Sequence, residues 1–188
     1  MLTLRPNWFI GYKFFNSLFL GLSVGAIFTL YIPLKPFVFS IGGVALAFGM
    51  LVVARFYRYI MNALWLFRIS LGVEALLLLV MLVFLYEPYT YASALLVYVG
   101  YQFTFVFGNY LVRAETLLLK EETLLTMLDT AKQFGYLLGM GAVYLFYRFL
   151  NAYGIEKNQE QIYYLHYVLV GIEVVVILLI LMSFSKEK

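Results

Sequence analysis

The sequence predicts an all-α integral membrane protein. Six transmembrane helices are expected, arranged as a 3+3 inverted repeat within a single membrane domain, residues 1–188. Three observations predict this. First, 64% of the residues are hydrophobic and only 12% charged, against about 25% charged in soluble domains. Second, six apolar runs approach the roughly 20 residues that cross a bilayer as a helix. Third, the chain echoes itself. Gly49-Met50 through Arg58-Tyr59-Ile60 returns as Gly139-Met140 through Arg148-Phe149-Leu150, with Gly, Met, Val, Phe, Tyr and Arg in register. A second echo follows in the same order: Leu71-Gly72-Val73-Glu74, then Val170-Gly171-Ile172-Glu173. A unit that occurs twice must be settled before any other reading.

The first helix is expected over Phe9–Tyr31, ending before Pro33, because a residue preceding proline avoids helical geometry. It is too long for a signal segment and is read as retained. Tyr12, Asn16 and Ser23 share one face. Asn16 and Ser23 either bond a neighbouring helix or line a pathway. Lys13 is expected to snorkel to the interface. Ser17, Gly21 and Gly25 form a small-residue strip on roughly the opposite face.

Pro36 suits the first turn of the second helix, where its missing N–H costs nothing. Ser40, Gly43, Ala47 and Ala54 give that helix a small-residue side, and it ends at Arg55 and Arg58. The third helix runs from about Ala63 to Glu87-Pro88 with Glu74 near its centre. A charge there costs about 2.5–3.5 kcal/mol, so Glu74 is expected to be protonated, paired or turned inward.

The fourth helix spans about Thr90–Val112. Tyr98, Gln102, Phe105, Asn109 and Arg113 form one stripe, either a cavity wall or an interhelical hydrogen-bond seam. The charged link Arg113–Glu122 is expected to be a solvated loop with helical tendency. The fifth helix carries Asp129, Lys132 and Gln133 early, then Ala131, Gly135, Gly139 and Ala142 at close-packing spacing. Asp129 and Lys132, three apart, can pair. The sixth helix covers about Ile162–Phe184. His166 and Glu173, seven apart, share a face, and a polar tail of Ser185–Lys188 follows.

Lys and Arg are unevenly placed. Arg5, Lys13, Arg55, Arg58, Arg113, Lys120, Lys186 and Lys188 fall on one side, with Arg68 near it; Lys35, Arg148 and Lys157 fall on the other. The richer side is expected to be cytoplasmic, which puts both termini inside, in a membrane such as the bacterial inner membrane. There is no cysteine and one histidine, so thiolate metal sites and Cys nucleophiles are excluded. No phosphate loop, HExxH or Ser/His/Asp set is present. The chain is therefore read as a non-enzyme with no cofactor and no nucleic-acid partner; its partners are the lipid bilayer and a small-molecule solute.

Three spans per repeat is an odd number, so residues 9–87 and 90–184 would enter the membrane from opposite sides. That plan occurs in secondary transporters. On these repeats and their small-residue helices, the chain resembles one half of a major facilitator superfamily transporter. Of that family's loop motif, Arg55 and Arg58 match, while Met50, Ala54, Tyr57 and Tyr59 depart from it. The resemblance implies that helices 1 and 4 line a cavity, with Asn16, Ser23, Tyr98, Gln102 and Asn109 as lining residues. It implies that helices 2 and 5 meet a second half, through Gly43, Ala47, Gly135 and Gly139, and that helices 3 and 6 lie outside. A second copy, or a distinct six-helix protein, would supply the other half. The function expected is alternating-access transport of a small neutral or amphiphilic solute, with Glu74 and Glu173 as possible proton-coupling residues. Two alternatives stand beside it. One is a substrate-binding S-component of an energy-coupling-factor transporter, which the Ser17/Gly21/Gly25 strip would suit. The other is a non-transporting structural subunit.

Overall fold

The computed structural model describes residues 2–186; Glu187 and Lys188, the end of the polar tail, lie outside the described residues. The chain is all-α apart from two short terminal strands. In order come β1 (Leu2–Leu4), α1 (Pro6–Ser23), α2 (Ala26–Leu30), α3 (Pro36–Ile60), α4 (Ala63–Tyr86), α5 (Tyr91–Leu119), α6 (Glu122–Ala152), α7 (Asn158–Ser183) and β2 (Phe184–Lys186).

Among the described residues, four helices are long and apolar enough to cross a membrane: α3, α4, α5 and α7, with mean hydropathies of 2.4, 2.5, 1.3 and 2.6 over their best stretches. Polar residues hold α1 and α6 below that level. In α1 these include Lys13 and Asn16; in α6 they include Asp129, Lys132 and Gln133.

Three boundaries differ from expectation. The first predicted helix is two pieces, α1 and α2, interrupted at Val24-Gly25; glycine is a poor helix former. The expected loop Arg113–Glu122 is helical as far as Leu119, and the turn is confined to Lys120-Glu121. Ala114, Glu115 and Leu119 are buried there, so packing extends the helix. Lys120 makes the reversal with φ at 56°, a region that non-glycine residues rarely enter. Finally, the two ends of the chain pair as antiparallel strands. Thr3 lies opposite Ser185, and Arg5 N–H donates to the Ser183 carbonyl at 2.8 Å. Both ends of the described chain therefore lie on the same side of the bundle.

The major packing contacts run α6–α1–α7–α4–α5–α3. The two edge helices differ. α6 lies along α1, whereas α3 touches α5 on one side and leaves its apolar window unburied. Glycines make both edge contacts close. A Cβ on Gly135 would overlap the Phe14 carbonyl, one on Gly139 the Leu18 carbonyl, and one on Gly21 the Tyr136 carbonyl. On the other edge, Gly42 receives the Tyr98 ring and Gly49 receives Val106. Gly25 faces open space, whereas Gly100 meets Val80 of α4.

Two large apolar clusters fill the bundle, and a smaller third, Leu34, Val38, Ala94 and Tyr98, lies between α3 and α5. Phe9, Leu66, Tyr110, Leu128, Ile180 and Phe184 form one large cluster at the end carrying the strands. Phe19, Leu30, Leu77, Phe84, Leu165 and Leu169 form the other. Polar side chains gather between these two.

Candidate functional site

The site is built where α1, α4 and α7 meet. Asn62 caps α4 by accepting from Trp65 N–H at 3.1 Å. From that start Leu66, Ser70, Val73, Glu74, Leu77 and Met81 fall on the inward face at helical spacing. On α7 the inward face carries Leu165, His166, Leu169, Glu173, Val176 and Ile180. Each helix thus brings one carboxyl into an otherwise apolar seam. Glu74 is 2% exposed and Glu173 0%.

The two carboxyls meet. They lie within hydrogen-bonding reach of each other. Glu74 Oε1 accepts from the Tyr12 hydroxyl at 2.9 Å and from Asn16 Nδ2 at 2.8 Å. Glu74 Oε2 and both Glu173 oxygens receive no protein donor among the described residues. Two ionised carboxylates offer only acceptors to each other. A proton shared between the two carboxyls would supply the missing donor. Tyr101 lies beside this pair, its hydroxyl within reach of Ser23.

One turn away lies an ionic cluster that sequence reasoning missed. Glu115 of α5, 1% exposed, binds Lys13 of α1, 6% exposed. Its other oxygen accepts from Lys132 of α6 at 2.8 Å. The expected Asp129–Lys132 pair is present at 3.7 Å as the outer member. Lys13 therefore does not snorkel to an interface; a buried carboxylate and the faces of Phe9 and Tyr12 hold it inside. The cluster is balanced within itself, Lys13 and Lys132 against Glu115 and Asp129. The signal for this cluster lay in Glu115 itself. Among Thr116, Leu117, Leu118 and Leu119, it was read as part of a solvated link because of its charged neighbours in sequence.

The remaining expected residues scatter. Ser23 is buried and donates to the Leu20 carbonyl at 3.2 Å. Tyr98 packs edge-on to Tyr31 and Phe39 and donates to the Phe39 carbonyl at 3.3 Å. Gln102 keeps a buried oxygen with no partner among the described residues, while Asn109 is exposed. The α5 stripe fails to hold one face for a geometric reason. Fifteen residues from Tyr98 to Arg113 overshoot four helical turns by about 60°. His166 turns inward, bonds the Ile162 carbonyl at 2.7 Å through Nδ1 and stacks on Phe84 at 4.2 Å.

The expected contact to a second half needs one correction. Gly43 and Ala47 are exposed on α3. Gly135 and Gly139 are buried against α1, because the small residues of α6 serve packing within the chain. Gly21 is covered by α6 in the same way, which removes the centre of the strip that an S-component would use for docking.

No protein-family model, no curated protein and no solved structure matches this chain.

Proposed function

We propose that the chain crosses the membrane six times and forms one half of a proton-coupled secondary transporter, with a second copy supplying the other half. The observation that carries this reading is the Glu74–Glu173 pair. These residues come from the two sequence echoes, and they meet at the α4–α7 crossing, in the middle of the neighbour order. Exchanging α1 with α5, α3 with α6 and α4 with α7 reverses the order α6–α1–α7–α4–α5–α3 and preserves these major contacts. A 3+3 inverted repeat has this property, as does the half of a major facilitator superfamily transporter that the sequence resembles. Lys13 and Asn16 of α1 and Lys132 of α6 bind partners inside the bundle, which reduces the cost of placing these helices in a membrane. The edge helices α3 and α6 are the ones placed to meet a second copy, with Gly43 and Ala47 on the open face of α3.

Buried acids inside a membrane bundle mark proton or substrate pathways. Here the acid faces its own sequence echo, and the neighbouring lysines are engaged by Glu115. Loss of the Glu173 proton would place two negative charges in contact at the crossing of the two triplets. Repulsion there would favour separation of α4 from α7, which links proton release to rearrangement. The solute remains a small neutral or amphiphilic molecule on this reading.

The test is transport in proteoliposomes carrying a trapped pH indicator, challenged with a panel of neutral aromatic and amphiphilic solutes. A solute that drives proton movement in the wild type, and not in Glu173→Gln, supports the proposal. Solute uptake that moves no protons, or proton movement unchanged in Glu173→Gln, contradicts it.

A further inference from the structure

The last turn of α3 and the C-terminal part of α5 enclose an open groove of about 560 Å³. Tyr57, Met61, Val112 and Leu117 make its walls, and Arg58 and Arg113 stand at its edge. Neither arginine has a carboxylate partner among the described residues. Each guanidinium instead lies over an aromatic ring, Arg58 over Tyr59 at 5.6 Å and Arg113 over Tyr57 at 5.9 Å. The Thr116 hydroxyl is already donated to the Val112 carbonyl at 2.9 Å, so the arginines are the groove's available charged donors.

The position of the groove narrows its occupant. It lies at the strand-bearing end of the bundle, where the Tyr110 hydroxyl ties α5 to the Ile60 carbonyl at 2.8 Å. Arg5, Arg55, Arg68 and Lys120 belong to the same end in the sequence-based topology. Beyond the groove, the exposed faces of α3 and α5 carry apolar side chains, including Val52, Phe56 and Phe105. A ligand filling this place needs a negative head between two guanidiniums and a long apolar body along the helices. Arginine's fork matches phosphate oxygens in pairs, and basic pockets between membrane helices receive anionic headgroups. We propose that this groove is a binding site for an anionic phospholipid, with the phosphodiester between Arg58 and Arg113 and the acyl chains along α3 and α5. The site is independent of the Glu74–Glu173 pair and of the transport reading.

The experiment uses the full chain in nanodiscs of phosphatidylcholine containing a small fraction of spin-labelled lipid. The immobilised fraction is compared for labelled phosphatidylglycerol and labelled phosphatidylcholine. The wild type should prefer phosphatidylglycerol, and each of Arg58→Gln and Arg113→Gln should lower that preference by about fivefold. Arg68→Gln is the control, because Arg68 stacks on Trp65 at 5.5 Å outside the groove; it should change the preference less than twofold. Thermal unfolding of each variant reports whether the fold is kept. No lipid preference in the wild type overturns the site. An equal loss in Arg68→Gln assigns the effect to general surface charge and also overturns it. Displacement of the labelled lipid by millimolar inorganic phosphate would make the groove a phosphate site instead.

Discussion

Glu74 and Glu173 face each other across the α4–α7 contact, and only Glu74 receives donors from the rest of the protein, Tyr12 and Asn16. The asymmetry assigns the two acids different states. Glu74 accepts two hydrogen bonds, and on the proposed reading Glu173 carries the proton of the pair. Infrared spectroscopy should find a protonated carboxyl C=O stretch in the wild type at neutral pH and lose it in Glu173→Gln. That amide can still donate to Glu74, so the variant should stay within about 1 kcal/mol of wild-type stability. Glu74→Gln weakens the acceptor of the Tyr12 and Asn16 bonds and should cost more, about 1–3 kcal/mol by thermal unfolding in detergent.

The Lys13–Glu115–Lys132 cluster joins α1, α5 and α6 through one buried carboxylate. Removing one member of such a pair strands a charge, at about 3–5 kcal/mol. Glu115→Ala should fall in that range. The double change Lys13→Met with Glu115→Met should recover much of the loss, because Lys132 retains Asp129 and no buried charge is left alone. A double-mutant cycle on thermal unfolding checks this. Equal and additive losses would mean that the cluster contributes no coupling.

Close approach of α1 and α6 rests on glycine at three positions. Gly139→Val or Gly21→Val must push backbone from backbone, and overpacking of this kind costs about 1–3 kcal/mol or more. Gly43→Ala and Gly11→Ala, whose added carbons meet nothing within 4 Å, should fold as the wild type does. Comparison of the four by size-exclusion profile and melting temperature separates packing from composition.

The pairing of the chain's two ends is also open to direct check. The sequence has no cysteine, so Thr3→Cys with Ser185→Cys introduces the only pair. Oxidation should form an intramolecular disulfide, read as faster migration without reductant. Single cysteines at the two positions should be labelled by an impermeant maleimide from the same side of sealed vesicles.

The all-α, apolar-helix character could be read in the sequence because a membrane helix needs a long apolar run. Glu74 and Glu173 stood out for the same reason: a charge in such a run is costly. Their meeting was not legible, since periodicity gives each helix a face but not the neighbour it turns to. Glu115 was hidden by Arg113 and Lys120, which make its surroundings look solvated in one dimension. Gly135 and Gly139 were recognised as close-packing residues but given the wrong partner. Small residues announce that a helix comes near, and whether it belongs to the same chain is decided by folding. The α5 stripe was over-read, because a spacing that holds over two turns drifts over four.

The central claim is that two copies of this chain make the working unit, in contact through the open face of α3. The most direct test is Gly43→Cys, a single cysteine in a cysteine-free chain, placed where an added side chain meets nothing. The protein would be oxidised in native membranes, purified into nanodiscs and weighed. The account predicts a disulfide-linked species of about twice 21.7 kDa, and the same doubled mass for the wild type without any cross-link. A wild-type particle holding one copy, with no cross-link at Gly43→Cys or at Ala47→Cys, would contradict it.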